Sequence, residues 1–396
     1  MKAEVIAYEE LTYPEVEALP RDIPLLIPLG DATEYDWDEV ADRVWRRSRS
    51  VSAPDRVCVF PGVPYGFRGS ALEVDPTLFK RVIQSLIAAL KEDGFANVFV
   101  INGYGPQGFA TRAAPRSRLS ADLVYQPSDS SDGQPRSSNE RVALIPIGHT
   151  EQHAFHLPLS TDTLIIDAIA RGVEARLPDT ILRLPVWPYG VSMHRRQYPG
   201  TLTIEPRAWE DFFVAVVGQL RARGLRMAYL INGHGGNHSF LVNVTKFCGD
   251  RWPEMFVATS FLHTTGDALT QHRTSPLGGM GHACELETSY ILHLRPDLVQ
   301  MDRAVDEVDF TATPNYYMDW IEGGALIANP PWTDDTIGGA YGAGTQATAE
   351  KGRRWLAAAI EEKAGHVQEI IEQQRRREER RAEGWVTGSW RKIAPR

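Results

Sequence analysis

The chain has 396 residues, 43% of them hydrophobic and 23% charged, with a formal net charge of −9. These values describe a globular protein with ample length for a large buried core, and they disfavour a general nucleic-acid role, which needs a strongly basic face. No run of about 18 apolar residues is present to span a membrane.

The opening MKAEVIAYEELTYPEVEALP carries acidic residues early and has no long apolar stretch, so it is not expected to be a signal peptide. Cys58, Cys248 and Cys284 lie far apart without CxxC spacing. That usage argues for a reducing, cytoplasmic setting and against a disulfide scaffold.

In chain order, DIPLLIPLG (22–30) reads as a buried strand stopped by glycine, and residues 37–49 as a polar helix. RVCVFP (56–61) is a second apolar strand. Residues 75–93 form a strong helix: Asp75 suits the cap, Pro76 suits the first position, and Leu78, Val82, Leu86 and Leu90 share a face. Gly94 ends it, and 96–101 is another strand, followed by NGYG. Strands alternating with helices imply a parallel sheet covered on both faces. Residues 112–140 are rich in Ser, Pro, Arg and Asp and read as a flexible linker.

Then the pattern restarts. IPIG (145–148) echoes IPLG (27–30), and LPVWPYG (184–190) echoes FPGVPYG (60–66). Residues 202–235 echo 72–105 at a constant offset, with strand, helix and glycine turn in register. A tandem duplication of one α/β unit is the expectation. The copies part where chemistry would sit. After its first strand the second copy has EQHAFHLPLSTD and the first has DATEYDWDEV; the second has His234 where the first has Tyr104. The first copy is therefore expected to bind no catalytic metal.

Four groups carry candidate chemistry. Glu151, His153 and Asp162 follow the strand that begins at Ile145. His234 follows a later strand in INGHGGN. His282, Glu285 and Glu287 lie in HACELET, and His194 lies in the same loop as Tyr198-Pro199-Gly200. Loops after the C-terminal ends of parallel strands gather at one edge, so Glu151 and His234 can converge. Carboxylates and imidazoles together suit a divalent ion. Cys284 reads as a packed thiol, and the charged stretch at 361–381 as a solvated helix face.

IPIGHTEQHAFHLPLSTD, YPGTLTI, LINGHGGNHSF, HACELETS and, more weakly, residues 342–352 together resemble the creatininase (creatinine amidohydrolase) family. The resemblance implies an α/β fold of two creatininase-like units, each a mostly parallel sheet flanked by helices. The implied division is a degenerate unit at 1–111, a linker at 112–140, a catalytic unit at 141–372 and a charged tail at 373–396. It implies two divalent ions (zinc, manganese or iron) bridged by Asp162. Glu151 and His234 would belong to one ion and His153 to the other. The last ligand is expected to be Glu285, with Glu287 as the fallback and otherwise catalytic beside His282. His194, Tyr198, Gly235 and Asn237 are the expected substrate contacts.

The family's commoner EQHGPH and HAGE stand here as EQHAFH and HACE, so bulk is expected near the site and creatinine itself is not the expected substrate. The implied activity is hydrolysis of a small amide, cyclic amide or formamide. The alternatives are a peptidase acting on a small peptide and a non-catalytic metal-binding or assembly protein. The expected partners are a small-molecule amide and further copies of the chain, as a trimer of pseudo-dimeric chains. His156 is expected to orient its loop rather than to bind metal.

Overall fold

The computed structural model describes residues 3–46, 48, 55–102, 140–262, 267–310, 312–316, 318–319 and 324–383. Apart from Glu140, the expected linker at 112–140 lies outside them, as do Tyr104 and the end of the tail.

Two four-stranded sheets carry the architecture. The first has the order β1 (Glu4–Ala7), β3 (Arg56–Val59), β2 (Leu25–Leu29), β4 (Val98–Asn102). The second has the order β6 (Ile181–Arg183), β5 (Val142–Ile147), β7 (Met227–Asn232), β8 (Phe256–Phe261). Every pairing in both sheets is parallel. The central strands LLIPL and VALIPI are buried along their whole length, as covering on both faces requires. A small antiparallel sheet sets β11 (Tyr341–Ala343) between β9 (Met280–His282) and β10 (Asp306–Glu307).

The two sheets and their helices share several local features. Each central strand carries a proline, Pro28 or Pro146, where its neighbour has already left the ladder. The proline carbonyl is taken by the N–H of Val63 or Trp187, each at 2.9 Å. Each unit then has a 17-residue helix, Pro76–Glu92 or Pro206–Ala222, opened by proline. A carboxylate caps each: Asp75 accepts from Thr77 and Leu78, Glu205 from Arg207 and Ala208.

The two units are not separate bodies. Leu25, Ile27 and Leu29 of the first sheet and Ala143, Ile145 and Ile147 of the second feed one continuous apolar core. Between them lie Leu86 and Leu90 of one helix and Trp209, Phe212 and Phe213 of the other. The intervening residues point the other way, as a period of two dictates. Leu26 meets Val40 and Val44 of the helix Trp37–Trp45. Val142 and Leu144 meet the helices Thr161–Arg176, Glu285–Leu294 and Ala349–Ala382. That last helix runs without a break through the expected boundary at 372.

In the first unit Tyr35 fills the crevice between the central strands. Its hydroxyl donates to the carbonyls of Leu29 and Ile101, and its ring stacks on Trp37. The equivalent crevice of the second unit holds the polar cluster described next.

Candidate metal centre

The loop leaving β5 is buried from Gly148 to Pro158, apart from the half-buried Phe155. Gly148 has to be glycine: a Cβ there would lie 2.4 Å from Thr163 Oγ1, so the loop presses directly on the helix Thr161–Arg176. This brings Glu151 and His153 against Asp162 in that helix's first turn, where the helix dipole favours a carboxylate. Ala154 sits at φ 53°, a left-handed conformation that glycine adopts more readily. Here the departure from EQHGPH carries a backbone cost.

The orientation of each ring is set by its outer nitrogen. A carbonyl can only accept, so the ring nitrogen touching one carries the hydrogen. His153 Nδ1 donates to Glu151 O at 3.1 Å, leaving the Nε2 lone pair 3.2 Å from Asp162 Oδ1. His234, directly after β7, donates Nε2–H to Val191 O at 3.1 Å. Its Nδ1 lone pair then faces Asp162 Oδ2 and Glu151 Oε1, each at 3.1 Å. Gly236 makes this possible, because a Cβ there would sit 2.4 Å from His234 Nε2. His282, at the end of β9, donates Nε2–H to Gln152 O at 2.8 Å. Its Nδ1 looks toward Glu151 Oε1 at 3.7 Å and Glu287 Oε2 at 3.9 Å.

Burial holds His234 below its usual pKa and His282 well below, so these are neutral rings. Lone pairs of neutral imidazoles and ionised carboxylates about 3 Å apart repel unless a cation lies between them. Donor atoms sharing one ion at about 2.0–2.2 Å are separated by a little over 3 Å, so the residues fit an ion.

Of the two carboxylates in HACELET, Glu287 is the one brought to the cluster. It is buried, and one of its oxygens groups with donor atoms of His153 and Asp162 within 4.8 Å. Burial raises its pKa. Glu285 is turned away. Its carboxylate accepts from Thr274 N at 3.0 Å and Ser275 N at 2.8 Å and pairs with Lys351. Burial works to raise its pKa, but Lys351 and Ser275 hold it below the usual value. The structure therefore does not bring Glu285 to the cluster; Lys351 pairs with it instead.

The expected substrate contacts divide in the same way. Asn237 is committed at both ends of its amide, accepting from Val191 N at 2.9 Å and donating to Asn232 Oδ1 at 3.2 Å. These bonds brace the loops. Gly235 opens the short turn Gly235–Asn237 that follows His234. His194 lies parallel to His234 with ring centres 6.4 Å apart, and burial lowers its pKa to about 3. Tyr198 donates its hydroxyl to Thr336 O at 3.0 Å, and its ring joins Trp332 and Tyr341 in an aromatic cluster. His156 hydrogen-bonds Thr288 Oγ1 at 2.9 Å and ties its loop to the helix Glu285–Leu294.

Several residues were not picked out by sequence. His149 accepts Gly190 N–H on Nδ1 at 2.7 Å, so its Nε2 carries the hydrogen and points at Glu151 Oε2, 3.8 Å away. At that distance no hydrogen bond forms, and Nε2 is buried without a partner. Ser192 donates to Glu151 Oε2 at 2.7 Å. Arg195, 2% exposed, pairs with Glu151 Oε1 and lies 3.7 Å from the centre of the Trp332 ring. Trp332 also stands 4.9 Å from His194 and 5.2 Å from His282, roofing the centre. Tyr13, from the first unit, stacks on Phe155 at 5.7 Å.

The creatininase family model, described as creatinine amidohydrolase, matches residues 128–367. The chain belongs to the creatininase family. The 3-dehydro-scyllo-inosose hydrolase of Thermotoga maritima is 28% identical over 249 residues, covering 58% of this chain and 78% of that protein. The mycofactocin precursor peptide peptidase of Mycobacterium tuberculosis is 33% identical over 228 residues, covering 55% and 81%. A crystal structure of creatininase covers 58% of this chain and 91% of its own, with a TM-score of 0.50 and 25% identity. A manganese creatininase shares the fold at TM-score 0.51 and 24% identity, covering 59% and 91%. The matching region contains the whole cluster. Among the described residues, no helix is long and apolar enough to cross a membrane.

Proposed function

We propose that the chain is a metal-dependent amidohydrolase whose centre holds two divalent ions, zinc, manganese or iron, bridged by Asp162. The observation that carries this is the two-sidedness of that carboxylate. Oδ1 faces the lone pair of His153 at 3.2 Å, and Oδ2 faces the lone pair of His234 at 3.1 Å. Glu151 would complete one donor set and Glu287 the other. Ions held there supply a polarised substrate carbonyl and a water of lowered pKa.

The chain's own residues do the remaining work. His282 is pinned by its bond to Gln152 O, so Nδ1 stays aimed into the centre. It accepts a proton from the attacking water and delivers it to the leaving nitrogen, giving a carboxylate and an amine. Ser192 holds Glu151 in place. Trp332 excludes bulk water, which strengthens every charge interaction beneath it. The identity to the mycofactocin precursor peptidase supports a second reading, in which the amide is a peptide bond of a small peptide. The test is hydrolysis of matched amide, formamide and dipeptide panels before and after chelation. Chelation-sensitive release of amine supports the proposal. Tight metal binding with no hydrolysis of any panel member would favour a non-catalytic metal-binding role.

The first unit is read as a degenerate second copy. The shared proline device, the paired helices and the filled crevice at Tyr35 support this. Such a chain stands in for a dimer, and a trimer of chains is the expected assembly; a monomeric solution mass would refute that. Three buried free thiols support a reducing, cytoplasmic setting.

A further inference from the structure

We propose that Arg195 recognises an oxyanion on the substrate, a carboxylate or phosphate, so that the enzyme prefers anionic amides to neutral ones. The proposal rests on the two-ion reading of the centre. Arg195 stands in SMHRRQYPGT, the insertion that distinguishes the second unit from the first. The first unit buttresses that insertion: Arg196 donates to Glu92 at 2.6 Å and Gly200 N to Asp93 at 3.1 Å.

The face of the Arg195 guanidinium is covered by Trp332. Its donors therefore act along the edge. One, on Nη1, reaches Glu151 Oε1; the Nε hydrogen is buried and has no acceptor. An unsatisfied buried donor is costly and calls for a partner. Glu151 does not depend on Arg195 alone for its orientation, because Ser192 donates to its other oxygen at 2.7 Å. Oε1 is also the oxygen that faces His234 Nδ1, and so the one an ion would take. With an ion on Oε1, Nη1 loses its acceptor and joins Nε in seeking one.

Charge leads to the same conclusion. Glu151, Asp162 and Glu287 contribute three negative charges to a buried site, and two divalent ions contribute four positive ones. Arg195 raises the excess from +1 to +2. A neutral amide does nothing to offset that excess, whereas an anionic one does. A guanidinium edge matches a carboxylate or phosphate through paired hydrogen bonds.

The experiment is calorimetric binding to reconstituted enzyme of N-formylglycine, N-formylaminomethylphosphonate and the neutral N-formylglycinamide. It is run on wild type, R195M and R195K, with ion content measured on the same samples. Wild type is expected to bind at least one anion tenfold or more tightly than the neutral amide. R195M should lose that preference to within about threefold with its ions retained, and R195K should recover part of it; whichever anion wins names the source. Equal binding of all three by loaded wild type, or no binding of any, overturns the proposal. So does a preference that survives in R195M. A wild type that takes up no ions sinks the metal reading itself, which keeps the two failures apart.

Discussion

Replacing each acidic residue of HACELET in turn separates a metal ligand from a structural ion pair. In E287Q the amide oxygen keeps the shape but loses the charge beside His153 and Asp162. Groups that merely orient ligands are worth about 10–100-fold in metal affinity, so a lost carboxylate ligand should cost about 100-fold or more. E285Q instead strands Lys351, whose side chain is 15% exposed, against a neutral partner. Breaking such a pair costs about 2–4 kcal/mol, with the lower part favoured because Lys351 keeps some water. For a chain of this size that lowers Tm by about 2–5 °C. Plasma mass spectrometry and thermal unfolding on the same preparations read both outcomes. E287Q should be depleted of metal with its apo stability little changed; E285Q should be destabilised but loaded. A loaded E287Q beside an empty E285Q would refute the reasoning.

Other outcomes follow from the same geometry. H282A should retain its ions and lose about 10²–10⁴-fold in hydrolysis, read by single-turnover assay on loaded enzyme. F212A removes a fully buried ring packed between the units, 4.4 Å from Trp187. It should cost about 3–5 kcal/mol in one cooperative urea transition, and a biphasic curve with one unmoved phase would mean the units fold independently. Burial lowers the His156 pKa to about 4. The unfolded chain therefore takes up a proton near pH 6.5 that the folded chain refuses until about pH 4. Stability present above pH 6.5 is lost across that window, by up to about 3 kcal/mol from this residue. H156N should flatten the wild-type fall measured between pH 7 and 4.5.

Much of the scaffold could be read from the residues because each signal was local. LLIPL and VALIPI are continuous apolar runs, which is what a strand buried on both faces needs. Asp75 and Pro76 mark a helix start wherever they fall. Glu151, His153, Asp162 and His234 were accessible for the same reason: each lies at a strand end or a helix start, and parallel strands bring those places together. Glu285 and Glu287 were not separable. Two positions along a helix turn a side chain by about 200°, so one had to face the centre and one away, and only Lys351, more than sixty residues later, decides which. Arg195, Trp332 and Tyr13 reach the site from segments whose sequence shows no periodicity or capping signal toward it. The shared core was not legible, since apolar helix faces at 76–92 and 206–222 could each have closed on their own sheet.

The central claim is that Asp162 bridges two ions, and the metal-to-protein ratio of reconstituted wild type and D162N tests it most directly. The account predicts two ions per chain in wild type and the loss of both in D162N, since each depends on one oxygen of that carboxylate. A wild type saturating at one ion, or a D162N variant that still holds two, would contradict it.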